Sequence, residues 1–136
     1  MKITGTCHCG AVTYEAEMNP ERFGICHCTD CQLMSGSDYR TIAIVPAESF
    51  RLTGAAPVDY VKTADSGSKR RITFCGTCGA GIYAAPAEET PTVYNLRAGT
   101  INERRSLTPR YEIWCSSAMP WLERFEGTAR YDKGFT

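Results

Sequence analysis

Seven of the eight cysteines stand in three short clusters: Cys7-His8-Cys9, Cys26-His27-Cys28-Thr29-Asp30-Cys31 and Cys75-Gly76-Thr77-Cys78-Gly79. Short chelating loops bring thiolates together at little entropic cost, and zinc is the ion that such sulfur sets suit best. The count divides into two short pairs, enough for one closed four-thiolate site, and a three-cysteine loop one ligand short of closure. A closed site holds a fold together, whereas a three-ligand site keeps a position for substrate. A disulfide framework is the competing use of eight cysteines. Cys-x-Cys and Cys-x-x-Cys close loops too short for ordinary disulfide geometry, and no secretory signal precedes them.

Each cluster carries its own local logic. In extended chain, residues two apart share a face, so Cys7 and Cys9 can present both sulfurs to one metal. Cys75 to Gly79 has the look of a zinc knuckle, with Gly76 and Gly79 letting the backbone curl so that N–H groups point at sulfur. A metal joining these pairs would cross-link distant segments, which suits a structural role. In the middle cluster, Cys26 and Cys28 can share a face, and Cys28 and Cys31 are spaced like one helical turn. Two alternatives stay open. Cys115 could close the second site, or the pairs could be partitioned as Cys7 and Cys9 with Cys28 and Cys31. His8 and His27, each in the middle of a Cys-x-Cys, should face away from the sulfurs and pack or support rather than ligate.

Other residues offer chemistry with less spacing behind it. Lys69-Arg70-Arg71 precedes the knuckle as a solvated strand face, or as an anchor for a substrate carboxylate through Arg71. Trp114 and Trp121 could line a pocket, with Trp121 taken as a substrate contact. Tyr39, His27 and Glu112 are candidate proton donors.

The elements that must position these groups read as short strands between turns. Alternation or β-branched runs predict strands over 11–16, 39–45, 58–63, 71–74, 81–84, 92–97 and 111–114. Brief helical turns are expected after Cys28, around 46–50 and near 116–122. With 136 residues and no linker, the chain reads as one mainly β domain over 1–136. Its 15 basic and 15 acidic side chains cancel, which argues against nucleic-acid binding. The lack of an apolar leader or a membrane-length run points to a soluble, cytoplasmic protein away from membranes.

Taken together, Gly5-Thr6-Cys7-His8-Cys9-Gly10, Cys26-His27-Cys28-Thr29-Asp30-Cys31, Ser35-Gly36-Ser37 and Phe74-Cys75-Gly76-Thr77-Cys78-Gly79 resemble the glutathione-dependent formaldehyde-activating enzyme family, which includes centromere protein V. The tail from Tyr111 to Trp121 resembles that family's C-terminal segment. The resemblance implies coiled β-sheets of the β-tent type, as in methionine sulfoxide reductase B, stapled by zinc and with few short helical turns. It implies a structural zinc on Cys7, Cys9, Cys75 and Cys78, and a catalytic, more labile zinc on Cys26, Cys28 and Cys31. The implied reaction joins glutathione and formaldehyde as S-(hydroxymethyl)glutathione, the reverse of a carbon–sulfur lyase step. Glu112 stands where the family's tail commonly has histidine, and Cys115 is not a family ligand. Two other functions compete with this lyase: a non-enzymatic zinc module for a protein partner, and a methionine sulfoxide reductase-like enzyme using Cys115.

Overall fold

The computed structural model describes residues 1–135 and contains eleven strands, one α-helix and several single 3-10 turns. β1 (Lys2–Thr6) and β2 (Thr13–Glu17) form an antiparallel hairpin, to which the short β5 (Arg51–Leu52) adds. The remaining strands form a second, eight-stranded sheet. They are β3 (Phe23–Cys26), β4 (Arg40–Pro46), β6 (Val58–Thr63), β7 (Lys69–Phe74), β8 (Gly81–Pro86), β9 (Val93–Arg97), β10 (Tyr111–Ile113) and β11 (Ala129–Arg130). Their order across the sheet is β11-β10-β3-β4-β9-β8-β7-β6. The β10 pairings with β3 and β11 are parallel, and the others are antiparallel.

Period-2 alternation gives the large sheet two different faces. One face presents Phe23, Ala43, Val45, Leu96, Tyr83 and Ala85, which pack with Ile3, Tyr14 and Ala16 of the small sheet into the main core. Tyr83 of this core packs with the partly buried Phe50 and Tyr94, their ring centroids 4.6 to 5.3 Å apart. The opposite face has a smaller cluster at one end, built on Cys26, Ile42 and Tyr111. Gly24 makes that cluster possible: a Cβ there would lie 2.3 Å from the Tyr111 ring, which lies against β3 at the paired position. Most of the burial thus goes to one face of the sheet, and the other, with its smaller cluster, is left to carry a site.

Strand β6 runs over the range the alternation predicts, and β4, β7, β8, β9 and β10 lie within two residues of expectation at each end. β1, β3, β5 and β11 go beyond the expected set. The helical turn after Cys28 is a real helix, α1 (Thr29–Ser35), closed by Gly36 in the left-handed conformation. No helix among the described residues is long and apolar enough to cross a membrane.

Candidate metal centres and the cleft beside them

The sulfurs of Cys7, Cys9, Cys75 and Cys78 lie within 4.8 Å of one another, as do those of Cys26, Cys28 and Cys31. In the first group Cys7 and Cys9 are 3.6 Å apart and Cys9 and Cys75 are 3.8 Å apart. Tetrahedral zinc with bonds of about 2.3 Å requires sulfurs about 3.8 Å apart. The donor set and its spacing therefore fit the metal. The alternative partition, Cys7 and Cys9 with Cys28 and Cys31, is not the one that the fold assembles.

The first cluster is organised by backbone amides. β1 stops at Thr6, so Cys7 and Cys9 converge through a turn rather than along a strand face. That turn brings the Val12 N–H to donate to Cys7 Sγ at 3.3 Å and holds the Cys7 thiol below its ordinary range. In the knuckle, Gly79 adopts φ +78° and its N–H donates to the Cys75 carbonyl at 2.8 Å. The Ala80 and Cys9 amides pull the Cys78 thiol down to about 6. Cys9 goes the other way, to about 11: the Ala11 amide favours its thiolate, but the neighbouring sulfurs, Cys7 first, outweigh that. This is the pattern of several thiols competing for a shared charge, which a divalent cation relieves.

The second cluster is a local loop. Cys26 ends β3, Cys28 is the N-cap of α1, and Cys31 lies in its first turn. The Cys31 N–H donates to Cys28 Sγ at 3.3 Å, so the expected helical spacing is what folds the loop around the sulfurs. Sulfur contacts from Cys26 and Cys31 drive the Cys28 thiol far down, with Lys62 adding to the effect. The same crowding raises Cys26.

Cys115 is not part of this group. It lies instead with His27 and Glu112, and its Sγ contacts the Glu112 carbonyl at 3.6 Å. Alternation explains the separation, because His27 projects away from the face that Cys26 and Cys28 share. His27 and Glu112 are both 1% exposed, and His27 Nε2 meets Glu112 Oε1 at 2.8 Å. Arg130 donates to both Glu112 oxygens at 3.0 Å, and Thr128 donates at 2.5 Å. Burial works to raise the Glu112 carboxyl, but the Thr128 and His27 hydrogen bonds and the Arg130 charge hold it below its usual range. His8, by contrast, is exposed on its turn.

Two connected hollows open on the three-thiolate loop. An inner cavity of about 180 Å³ is lined by Cys28, Cys31, Arg40, Arg70, Arg97 and Trp114, among others. A wider cleft of about 390 Å³ shares Cys28, Asp30, Lys62, Arg70 and Trp114 with it. Trp114 adopts φ +58°, alone among the described non-glycine residues in having a positive φ, and its ring lines both hollows. Holding a bulky residue there costs on the order of 1–3 kcal/mol, which marks the turn as a place where the fold constrains a side chain.

Sequence expectation and geometry part over two residues. Arg71 lies on the other face of β7, where it donates to the Glu88 carbonyl at 3.3 Å, and it lines neither hollow. Trp121 is 63% exposed and likewise outside both linings. Arg70 and Trp114, one and seven positions away, line the hollows instead. Nothing in the local sequence marks Arg40 and Arg97, because only strand pairing brings them to the loop.

Comparison with known proteins agrees with this geometry. The sequence model of the family described as glutathione-dependent formaldehyde-activating enzyme matches residues 2–117, all three cysteine clusters included. Among solved structures, a Rhodobacter sphaeroides protein superposes with a TM-score of 0.57 at 22% identity, over 74% of this chain and 88% of that one. That likeness supports the β architecture.

Proposed function

The chain belongs to the glutathione-dependent formaldehyde-activating enzyme family, and from that premise we propose that it is a zinc-dependent carbon–sulfur lyase acting on a small thiol–aldehyde adduct. The reaction would be of the S-(hydroxymethyl)glutathione synthase kind, carried out by one cytoplasmic domain spanning 1–136. Cys7, Cys9, Cys75 and Cys78 would hold a structural zinc, and Cys26, Cys28 and Cys31 a catalytic one. The observation that carries this reading is the division of seven thiolates into a group of four and a group of three, with Cys28 and Cys31 of the three lining a cleft and Cys115 turned elsewhere.

When bound by three thiolates, zinc supplies an open position and Lewis acidity that bring a substrate thiol below its free pKa of about 8.5. The protein's own residues do the rest. The cations facing the cleft favour the thiolate form of an incoming sulfur and a developing alkoxide on the carbonyl it attacks. Trp114 walls the cleft and restricts water at the loop. His27 and Glu112 are fully buried and engaged with each other, so their part is to fix the segment between Cys26 and Cys28 rather than to deliver protons. The backbone N–H of His27 donates to the Ile113 carbonyl at 3.0 Å, which ties the loop to β10.

The test is exchange spectroscopy on mixtures of glutathione and formaldehyde with the zinc-loaded protein. Adduct formation and breakdown should accelerate over the spontaneous rate and collapse in Cys31→Ser. No acceleration with any of several thiols and aldehydes would remove the enzymatic reading.

A further inference from the structure

Three arginines converge on the cleft face of the eight-stranded sheet. Arg40 pairs with Cys26 across β3 and β4, and Arg97 pairs with Ile42, two residues further along β4. Asn95, two residues from Arg97, pairs with Ala84, and Ala84 pairs with Ile72, two residues from Arg70. Period-2 geometry therefore puts all three side chains on one face, and all three line the 180 Å³ cavity with Cys28 and Cys31. None of them has a carboxylate partner among the ion pairs of the described residues. Arg40 is only 9% exposed, and its Nε and Nη2 are buried with no hydrogen-bond partner. Arg97 Nε is in the same condition, and Arg97 Nη1 reaches only Asn95 Oδ1, at 3.5 Å. Burial lowers Arg70, and it brings Arg97 down to about 10 with Arg40 adding repulsion.

Buried guanidinium groups without partners are costly, so an unspent set facing a cavity calls for an anion. The thiolates do not fill that need. A zinc dication on three thiolates carries one negative charge, which leaves two of three guanidinium charges unmatched. Lys62 is already matched by Asp30.

We propose that Arg40, Arg70 and Arg97 form a subsite for a carboxylate of the substrate, so that the thiol or aldehyde handled at the three-thiolate loop is itself a small organic acid. The claim rests on the three-thiolate loop being the reaction site. Planar guanidinium forks suit a carboxylate better than a point charge does. Proximity narrows the class further. Cys28 and Cys31 line the same hollow of about 180 Å³ as the three arginines. The acid group must therefore lie within a few atoms of the reacting sulfur or carbonyl, as in a short mercapto acid or 2-oxo acid. Glutathione is built differently, with each carboxylate separated from its sulfur by an amide bond. Where the acid is the carbonyl compound, glutathione is the thiol partner and approaches from the wider cleft.

Cobalt-substituted protein gives a readout independent of turnover. Mercaptoacetate, 2-mercaptoacetamide and 2-mercaptoethanol should each alter the visible spectrum. The acid should act at concentrations about tenfold lower or more, as one or two charge-assisted hydrogen bonds require. Arg97→Met and Arg70→Gln should erase that advantage, and Arg71→Gln should keep it. Equal concentrations for acid and neutral thiols on the unaltered protein would overturn the subsite while leaving the open metal position standing. If none of the thiols changes the spectrum, the open position itself is wrong. The subsite is then decided by melting curves with malonate: stabilisation that Arg97→Met abolishes supports it, and no stabilisation ends it.

Discussion

The two cysteine clusters solve opposite problems with the same side chain. The four-thiolate group joins the turn after β1 of the small sheet to the β7–β8 connection of the large one, 66 residues away between Cys9 and Cys75. Its thiols are governed by backbone amides and by one another. The three-thiolate group spans six consecutive residues, and Lys62, Arg40 and Arg97 enter its electrostatics. Amides solvate a permanent charge and leave nothing for a ligand. Guanidinium groups overshoot the single negative charge that three thiolates would keep once they hold a zinc ion, and leave an attraction for something else. Position in the chain tells what a cluster stabilises, and the neighbours tell what it can bind.

The largest expected effect breaks this comparison outright. Cys78→Ser removes one of the four proposed zinc ligands, in the group that bridges the two sheets. A structural zinc contributes on the order of 10–16 kcal/mol, against a total stability of about 5–15 for an ordinary domain. The variant should be unfolded or insoluble by circular dichroism. Cys31→Ser should stay folded, carry one zinc by metal analysis, and lose carbon–sulfur chemistry, because its loop closes only on itself. Equal unfolding of the two variants would reverse the assignment of structural and catalytic sites.

Stepwise chelation sharpens the same contrast without mutation. Four thiolates should retain metal after three have lost it, so two zinc ions per chain should leave in two separated steps. Far-ultraviolet dichroism should hold through the first step and fall in the second. Simultaneous loss would mean that the two clusters do not differ in kind.

Much of this arrangement can be read directly in the residues, and the part that cannot has a definite physical cause. Local spacing determines the thiolate groups, since Cys28 and Cys31 need only one helical turn to meet. The count allows more than one pairing of the clusters, and it is the fold that brings Cys75 and Cys78 to Cys7 and Cys9. What spacing cannot show is strand register. Arg71 was the expected anchor, yet Arg70 faces the cleft, because β7 turns Thr73 into the core and leaves Ile72 half-buried on the site face. Taken alone, the alternating Ile72 and Phe74 suggest the reverse. Arg40 and Arg97 are harder still, being brought to Cys26 by pairings across β3, β4 and β9. The His27–Glu112 contact spans 85 residues and depends on the parallel pairing of β3 with β10.

That buried contact gives a medium-sized prediction about acid. Glu112 titrates below its usual range in the folded protein, so its contribution is complete above the unfolded carboxylate pKa of about 4.3. The contribution is lost as pH falls through the lowered folded value. Glu112→Gln should destabilise the protein near neutral pH, where the Arg130 and His27 partners are left with a neutral amide. The gap between variant and parent in urea midpoint should shrink as pH drops below about 4. A gap that does not change with pH would show that the carboxylate charge is not what the network uses.

The smallest effect separates the two tryptophans. Trp121 is 63% exposed and outside the cleft, so Trp121→Ala should change stability by no more than about 0.5 kcal/mol, as is usual for a surface site. Thiol titration of the cobalt protein should be unaltered as well. Trp114 lines both hollows beside Cys28 and holds a left-handed backbone. Trp114→Ala removes the wall of the cleft while leaving every cysteine in place. It should weaken thiol binding at the three-thiolate loop and leave metal retention at the four-thiolate group unchanged. If Trp121→Ala proves the more damaging for thiol binding, the substrate approaches from outside the cleft, and the contrast between a stapling cluster and a binding one would need a different pocket.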